Sequence, residues 1–213
     1  MRIKICGITN LGDAEAAQQL GAWAIGLNYH ADSPRRVAPD VAVEIGAALK
    51  RRCEVVGVFV NSTLDEIERI AESDGLTMLQ LHGDEGPAFC AEASRRTGCK
   101  VIKALRVRSG ADVQAAAAFH TDYHLLDAHR PGRPGGTGES FDWELAGAHR
   151  PGVPLILAGG LRPDNVAVAI AEASPFAVDV ASGVEAEPGL KDPAKLEAFF
   201  EHATVGDAAG STL

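Results

Sequence analysis

Side chains able to move protons or hold charge stand at or near the ends of short apolar runs in this 213-residue chain: Cys6, His82, Arg106, Asp127 and Asp179. A thiolate can take a proton, a carboxyl can give one, and an imidazole can do either. Two glycine-bearing segments, Ala158-Gly159-Gly160-Leu161 and Ala181-Ser182-Gly183-Val184, follow later apolar runs. Glycines let backbone N–H groups come close to an anion, and Ser182 adds a hydroxyl donor, so these segments are candidate phosphate loops. A third segment, Pro134-Gly135-Gly136-Thr137-Gly138, follows Asp127. It reads equally as a flexible connection or as a lid over a site.

The elements that position these residues follow from hydrophobic patterning. Runs rich in Val, Ile and Leu predict strands at Arg2–Cys6, Ala24–Tyr29, Val55–Val60, Met78–His82, Val101–Val107, Tyr123–Ala128, Leu155–Ala158 and Ala177–Ala181. They are nearly continuous in apolar character, as parallel strands covered on both faces are. They recur about every 25 residues, with Ala- and Glu-rich helical segments between them. Thr63-x-x-Glu66 predicts a capping box, and Asp192-Pro193 predicts a capped helix start. Arg162-Pro163-Asp164 precedes a helix expected around Asn165–Ala173, and Gly21 and Gly98 stand where two helices should stop. Repeated strand–helix units close into a barrel or form an open doubly wound sheet. The even spacing, and the lack of a G-x-G-x-x-G turn after the first strand, favour a single-domain (β/α)8 TIM barrel over residues 1–205, with a flexible tail at 206–213. In that fold the strand ends share one mouth, and the loops after strands seven and eight commonly hold phosphate. Cys6, His82, Arg106, Asp127 and Asp179 should therefore meet near that mouth, although the sequence separates them.

Composition narrows the partners. The formal net charge of -9 disfavours nucleic acid and anionic membrane, so an anionic ligand needs a local site. Cys6, Cys53, Cys90 and Cys99 show no C-x-x-C spacing and no clustering with histidines, so neither a disulfide framework nor a metal site is expected. Cys53, Cys90 and Cys99 read as small core residues. The opening MRIKICGIT has no long apolar region, and no run is long enough to span a bilayer, which leads to an expectation of a cytoplasmic protein.

The motifs, taken in order, resemble those of the phosphoribosylanthranilate isomerases of tryptophan biosynthesis. They are Lys4-Ile5-Cys6-Gly7-Ile8-Thr9, Ala24-Ile25-Gly26-Leu27-Asn28, Ser33-Pro34-Arg35, Val56-Gly57-Val58-Phe59-Val60-Asn61, Leu79-Gln80-Leu81-His82-Gly83, Leu125-Leu126-Asp127, Phe141-Asp142-Trp143, Leu157-Ala158-Gly159-Gly160-Leu161 and Val178-Asp179-Val180-Ala181-Ser182-Gly183-Val184-Glu185. The resemblance implies a cofactor-free barrel that performs an Amadori rearrangement on a small phosphoribosyl substrate. It implies Cys6 as general base and Asp127 as general acid. It gives Arg35 the anthranilate carboxylate, and Gly160, Ser182 and Gly183 the phosphate; His82 and Asp179 are further binding candidates. A base at Cys6 needs a lowered pKa, with Lys4 or the substrate iminium as the cation, and an acid at Asp127 needs a proton when substrate binds. Arg36 stands where the family commonly has tyrosine, and Asp32 where a basic residue is common.

Rival readings are the related histidine-pathway isomerase, a lyase resembling tryptophan synthase α, and a barrel that binds phosphosugar without catalysis. The first uses two aspartates, so Cys6 separates it from this chain. A monomer and a homodimer are both compatible with the sequence.

Overall fold

The computed structural model describes residues 1–127, 143, 146, 149 and 152–210. Eight parallel strands close in sequence order into a barrel: β1 (Arg2–Cys6), β2 (Ala24–Asn28), β3 (Glu54–Phe59), β4 (Met78–Leu81), β5 (Lys100–Arg106), β6 (Tyr123–Asp127), β7 (Leu155–Ala158) and β8 (Ala177–Val180). All the expected strands form, with ends within two residues of the sequence reading. Described helices cover the outside: α1 (Leu11–Gln19), α2 (Pro39–Leu49), α3 (Leu64–Ser73), α4 (Pro87–Thr97), α5 (Gly110–Ala115), α6 (Val166–Ala173) and α7 (Pro193–Gly210). None is long and apolar enough to cross a membrane.

Alternation along each strand divides the core in two. Ile3, Ile5, Leu27, Phe59 and Leu79 pack outward against helix residues such as Ile45, Ile67, Val166 and Phe199. The other face fills the lumen with Ala24, Val56, Met78, Ile102, Leu125, Ile156 and Ala177. Below them Trp23, Tyr123 and Phe176 close the N-terminal end, with ring centroids 5.5–5.7 Å apart. Toward the other end the lumen turns polar at Lys4, Gln80 and Asp179, all buried.

Two of the expected helix starts are capped by a side-chain oxygen, Thr63 supplying the hydroxyl half of its box. Thr63 Oγ1 accepts from Glu66 N–H at 3.2 Å, and Asp192 Oδ1 accepts from Ala194 N–H at 2.9 Å. Gly98 ends α4 in the left-handed region, at φ 70. The closing helix α7 runs on to Gly210. Gly206 is buried there; an added Cβ would stand 2.9 Å from Ala167 Cα, so its small size lets α7 lie close on α6. The segment 134–138, read as a possible lid, lies outside the described residues, as do 211–213.

One element was not anticipated. After β8, a short 3-10 turn (Ser182–Val184) leads into an antiparallel pair, β9 (Glu185–Glu187) and β10 (Leu190–Lys191). It returns toward β1: Thr9 Oγ1 donates to Gly189 O at 2.5 Å, and Lys191 N–H donates to Asp13 Oδ2 at 2.8 Å.

Candidate active site

The C-terminal strand ends surround a cleft of about 300 Å³. Cys6, His82, Asp127 and Asp179 line it together with Arg35, Gly160 and Ser182. Sequence separation is overcome by register alone: Lys4 pairs with Asp179 across the β1–β8 seam, Cys6 with Gly26, and Asp127 with Ala158. Arg106 stands opposite Asp127 in register but is exposed and is not among the cleft's lining residues.

Cys6 sits at the end of β1 above a buried ion pair, in which Lys4 Nζ donates to Asp179 Oδ1 at 2.8 Å. Asp179 thus pairs with a lumen lysine. Gly26 makes room for this group: an added Cβ would lie 2.9 Å from Cys6 Sγ and 3.1 Å from Lys4 Nζ. Desolvation pushes the Cys6 thiol above its ordinary pKa. The Lys4 and Lys191 ammoniums oppose the rise and Asp179 reinforces it, but burial wins. The lowered pKa that a base at Cys6 needs is thus opposed by its burial and favoured by Lys4 and Lys191. Lys4 is held above its ordinary value: burial works against the charge, and Asp179 with Cys6 outweighs it.

Opposite Cys6, His82 Nε2 stands 3.5 Å from Asp127 Oδ2. The other ring nitrogen, Nδ1, is 3.0 Å from Gln80 Nε2. With the Gln80 NH2 turned toward it, Nδ1 is the acceptor and the neutral ring carries its proton on Nε2, toward Asp127.

Arg35 reaches the cleft from the loop after β2. Ser33 Oγ accepts from its N–H at 3.1 Å and shapes the Ser-Pro-Arg turn. Gly7, at φ +72, leaves the space its stem occupies: a Cβ there would be 2.6 Å from Arg35 Cδ. The guanidinium fork is already half used, since Nε and Nη2 donate to Glu185 at 2.8 and 2.7 Å. Lys191 Nζ completes the group by donating to Glu185 Oε1 at 3.1 Å and to the Cys6 carbonyl at 2.7 Å. Burial alone would raise the Glu185 pKa, but Arg35 and Lys191 hold it below the usual carboxylate value. Arg36 and Asp32 are exposed, so Arg35 is the arginine of this turn that lines the cleft.

Gly160, at φ +67, and Ser182 occupy the cleft wall formed by the loops after β7 and β8. Gly183 is not among the lining residues, and its small size has another cause. An added Cβ would meet Leu161 O at 1.9 Å, so glycine here lets these two loops cross.

The phosphoribosylanthranilate isomerase family model, described as N-(5'phosphoribosyl)anthranilate (PRA) isomerase, matches residues 3–202. The chain belongs to this family. It is 46% identical over 202 residues to the N-(5'-phosphoribosyl)anthranilate isomerase of Citrifermentans bemidjiense, covering 95% of this chain and 96% of that protein. The phosphoribosyl anthranilate isomerase of Thermotoga maritima superposes with a TM-score of 0.85 at 39% identity, covering 96% and 98% of the two chains. An isomerase of the family in complex with reduced 1-(o-carboxyphenylamino)-1-deoxyribulose 5-phosphate superposes with a TM-score of 0.82 at 38% identity, again covering 96% and 98%.

Family motifs drew attention to Cys6, Asp127 and Arg35 but not to the residues that hold them. Gln80 and Asn28 also line the cleft, and Lys191 braces it from behind. For Gln80 the available signal was a polar residue two places before His82 on an apolar strand. Lys191 gave none, because Gly-Leu-Lys reads as an ordinary turn.

Proposed function

We propose that this chain is an isomerase of tryptophan biosynthesis that converts N-(5-phosphoribosyl)anthranilate to 1-(2-carboxyphenylamino)-1-deoxyribulose 5-phosphate. What supports the reading is that Cys6 on β1 and Asp127 on β6 line one cleft, in a chain of this family. Asp127 gives a proton to the furanose ring oxygen as the C1′–O bond breaks and the anilino nitrogen forms a Schiff base. Cys6 then takes the proton from C2′, giving an enolamine whose collapse places a ketone at C2′ and a new hydrogen at C1′. Atoms and charge balance without an outside reactant. The positive Schiff base favours the thiolate, offsetting the desolvation that raises the Cys6 pKa; the thiol proton passes to solvent before C2′ is deprotonated, and Asp127 regains a proton from solvent as the cycle closes.

Binding divides the substrate into three parts. The phosphate lies on the loops of Gly160, Ser182 and Gly183, where backbone N–H groups suit an anion. The anthranilate carboxylate takes the edge of the Arg35 fork that Glu185 leaves open; a guanidinium has five donors, and Glu185 engages two nitrogens. The sugar then spans Cys6 and Asp127, with His82 and Asp179 beneath or beside it. Residues 1–205 form one catalytic unit of the cytoplasm, a monomer or a homodimer, which light scattering distinguishes.

Phosphoribosylanthranilate fluoresces differently from the product, so purified chain should quench its signal, and NMR should show the C2′ ketone. Turnover of the histidine-pathway aminoaldose instead, with none of the anthranilate compound, would overturn the assignment.

A further inference from the structure

Gln80 is a polar residue of the cleft to which the acid–base pair assigns no task. It lies on β4, two residues before His82 on the inward face, and is only 1% exposed. Its NH2 is engaged by His82 Nδ1 at 3.0 Å. Its Oε1 is buried and has no hydrogen-bond partner among the described residues. Turning the amide over would only exchange an unpaired oxygen for an unpaired NH2. A buried carbonyl without a donor is unfavourable, and this one belongs to a residue lining the cleft, where a bound molecule can supply the donor.

We propose that Gln80 Oε1 binds substrate by accepting a hydrogen bond from the hydroxyl on C2′ of the sugar. This rests on the isomerase reading above. With the phosphate on the Gly160–Ser182 side and the carboxylate at Arg35, the middle of the sugar lies over Cys6, Asp127 and Gln80. C2′ carries both the hydrogen that leaves and a hydroxyl. Holding that hydroxyl on Gln80 turns the C2′ hydrogen toward Cys6. The same carboxamide, through its NH2, keeps the His82 proton on Nε2 and directed at Asp127. One residue thus orients both the reacting carbon and the partner of the acid.

Calorimetric titration with two ligands tests this: the reduced product, 1-(o-carboxyphenylamino)-1-deoxyribulose 5-phosphate after reduction, and the same molecule without its C2′ hydroxyl. The unaltered protein should bind the second roughly tenfold more weakly, the size expected for one lost hydrogen bond in a buried site. Gln80→Met, similar in volume and unable to accept, should weaken the first ligand and bring the two affinities within roughly twofold of each other. Gln80→Glu, which retains acceptor oxygens, should keep the preference. Equal affinities in the unaltered protein overturn the proposal whatever the variants do, and so does a Gln80→Met protein that keeps the full preference. If the unaltered protein binds neither ligand, the isomerase reading itself fails and takes this inference with it.

Discussion

Cys6 is held by opposing influences, and each can be removed separately. Desolvation raises its pKa, Lys4 lowers it and Asp179 raises it. The base role proposed for Cys6 requires its thiolate, so kcat/KM should rise with pH toward and beyond 9, the ordinary thiol value here. Lys4→Met should move that limb to higher pH, and Asp179→Asn should move it lower. Rate profiles of the two variants check the signs, and shifts in the same direction would show that the lumen ion pair does not act on Cys6. Both substitutions break a pair in which Lys4 is fully buried, so about 3–5 kcal/mol of stability should be lost in each, measurable by denaturant unfolding.

The hairpin of β9 and β10 is the element that joins the site's two ends. Its Glu185 holds Arg35, and its Lys191 holds both Glu185 and the Cys6 carbonyl. Glu185→Gln leaves two cations without their carboxylate and should cost about 3–5 kcal/mol. It should also raise KM more than it lowers kcat, because the Arg35 fork loses its orientation while Cys6 and Asp127 stay in place. Glu185 has a lowered folded pKa, so its stabilisation is present above the unfolded value, 4.5, and is lost as pH falls through the folded value. Acid unfolding of the variant should be correspondingly flatter in that window. This element also marks where sequence reading stopped. Strands and their ends were legible because buried parallel strands are continuous apolar runs, and Cys6 and Asp127 were legible because each ends one. The hairpin was not, since Glu185–Lys191 alternates without an apolar face and is ordered by contacts to Thr9 and Asp13 at the far end of the chain. Gln80 was visible as a polar residue within an apolar strand, but its direction became known only once β4 had neighbours on both sides.

For the molecule as a whole, closure is what turns separated residues into a site. The Lys4–Asp179 pair spans 175 positions and exists only because β1 meets β8. The closing helix, α7, packs on α6 and on the turn after β8, with Phe199 fully buried in the outer core. Phe199→Ala should therefore cost about 3–5 kcal/mol while leaving kcat near that of the unaltered protein at temperatures where the variant is folded. A fall in kcat without a fall in stability would contradict this separation of scaffold from chemistry. On the proposed mechanism, Cys6 and Asp127 form the acid–base pair of an anthranilate-sugar isomerase. Fluorescence decay of N-(5-phosphoribosyl)anthranilate under the unaltered protein, Cys6→Ala and Asp127→Asn measures it most directly. Each substitution should lower kcat by about 10²–10⁴-fold with the fold intact by circular dichroism, whereas decay at the unaltered rate in both variants would contradict the claim.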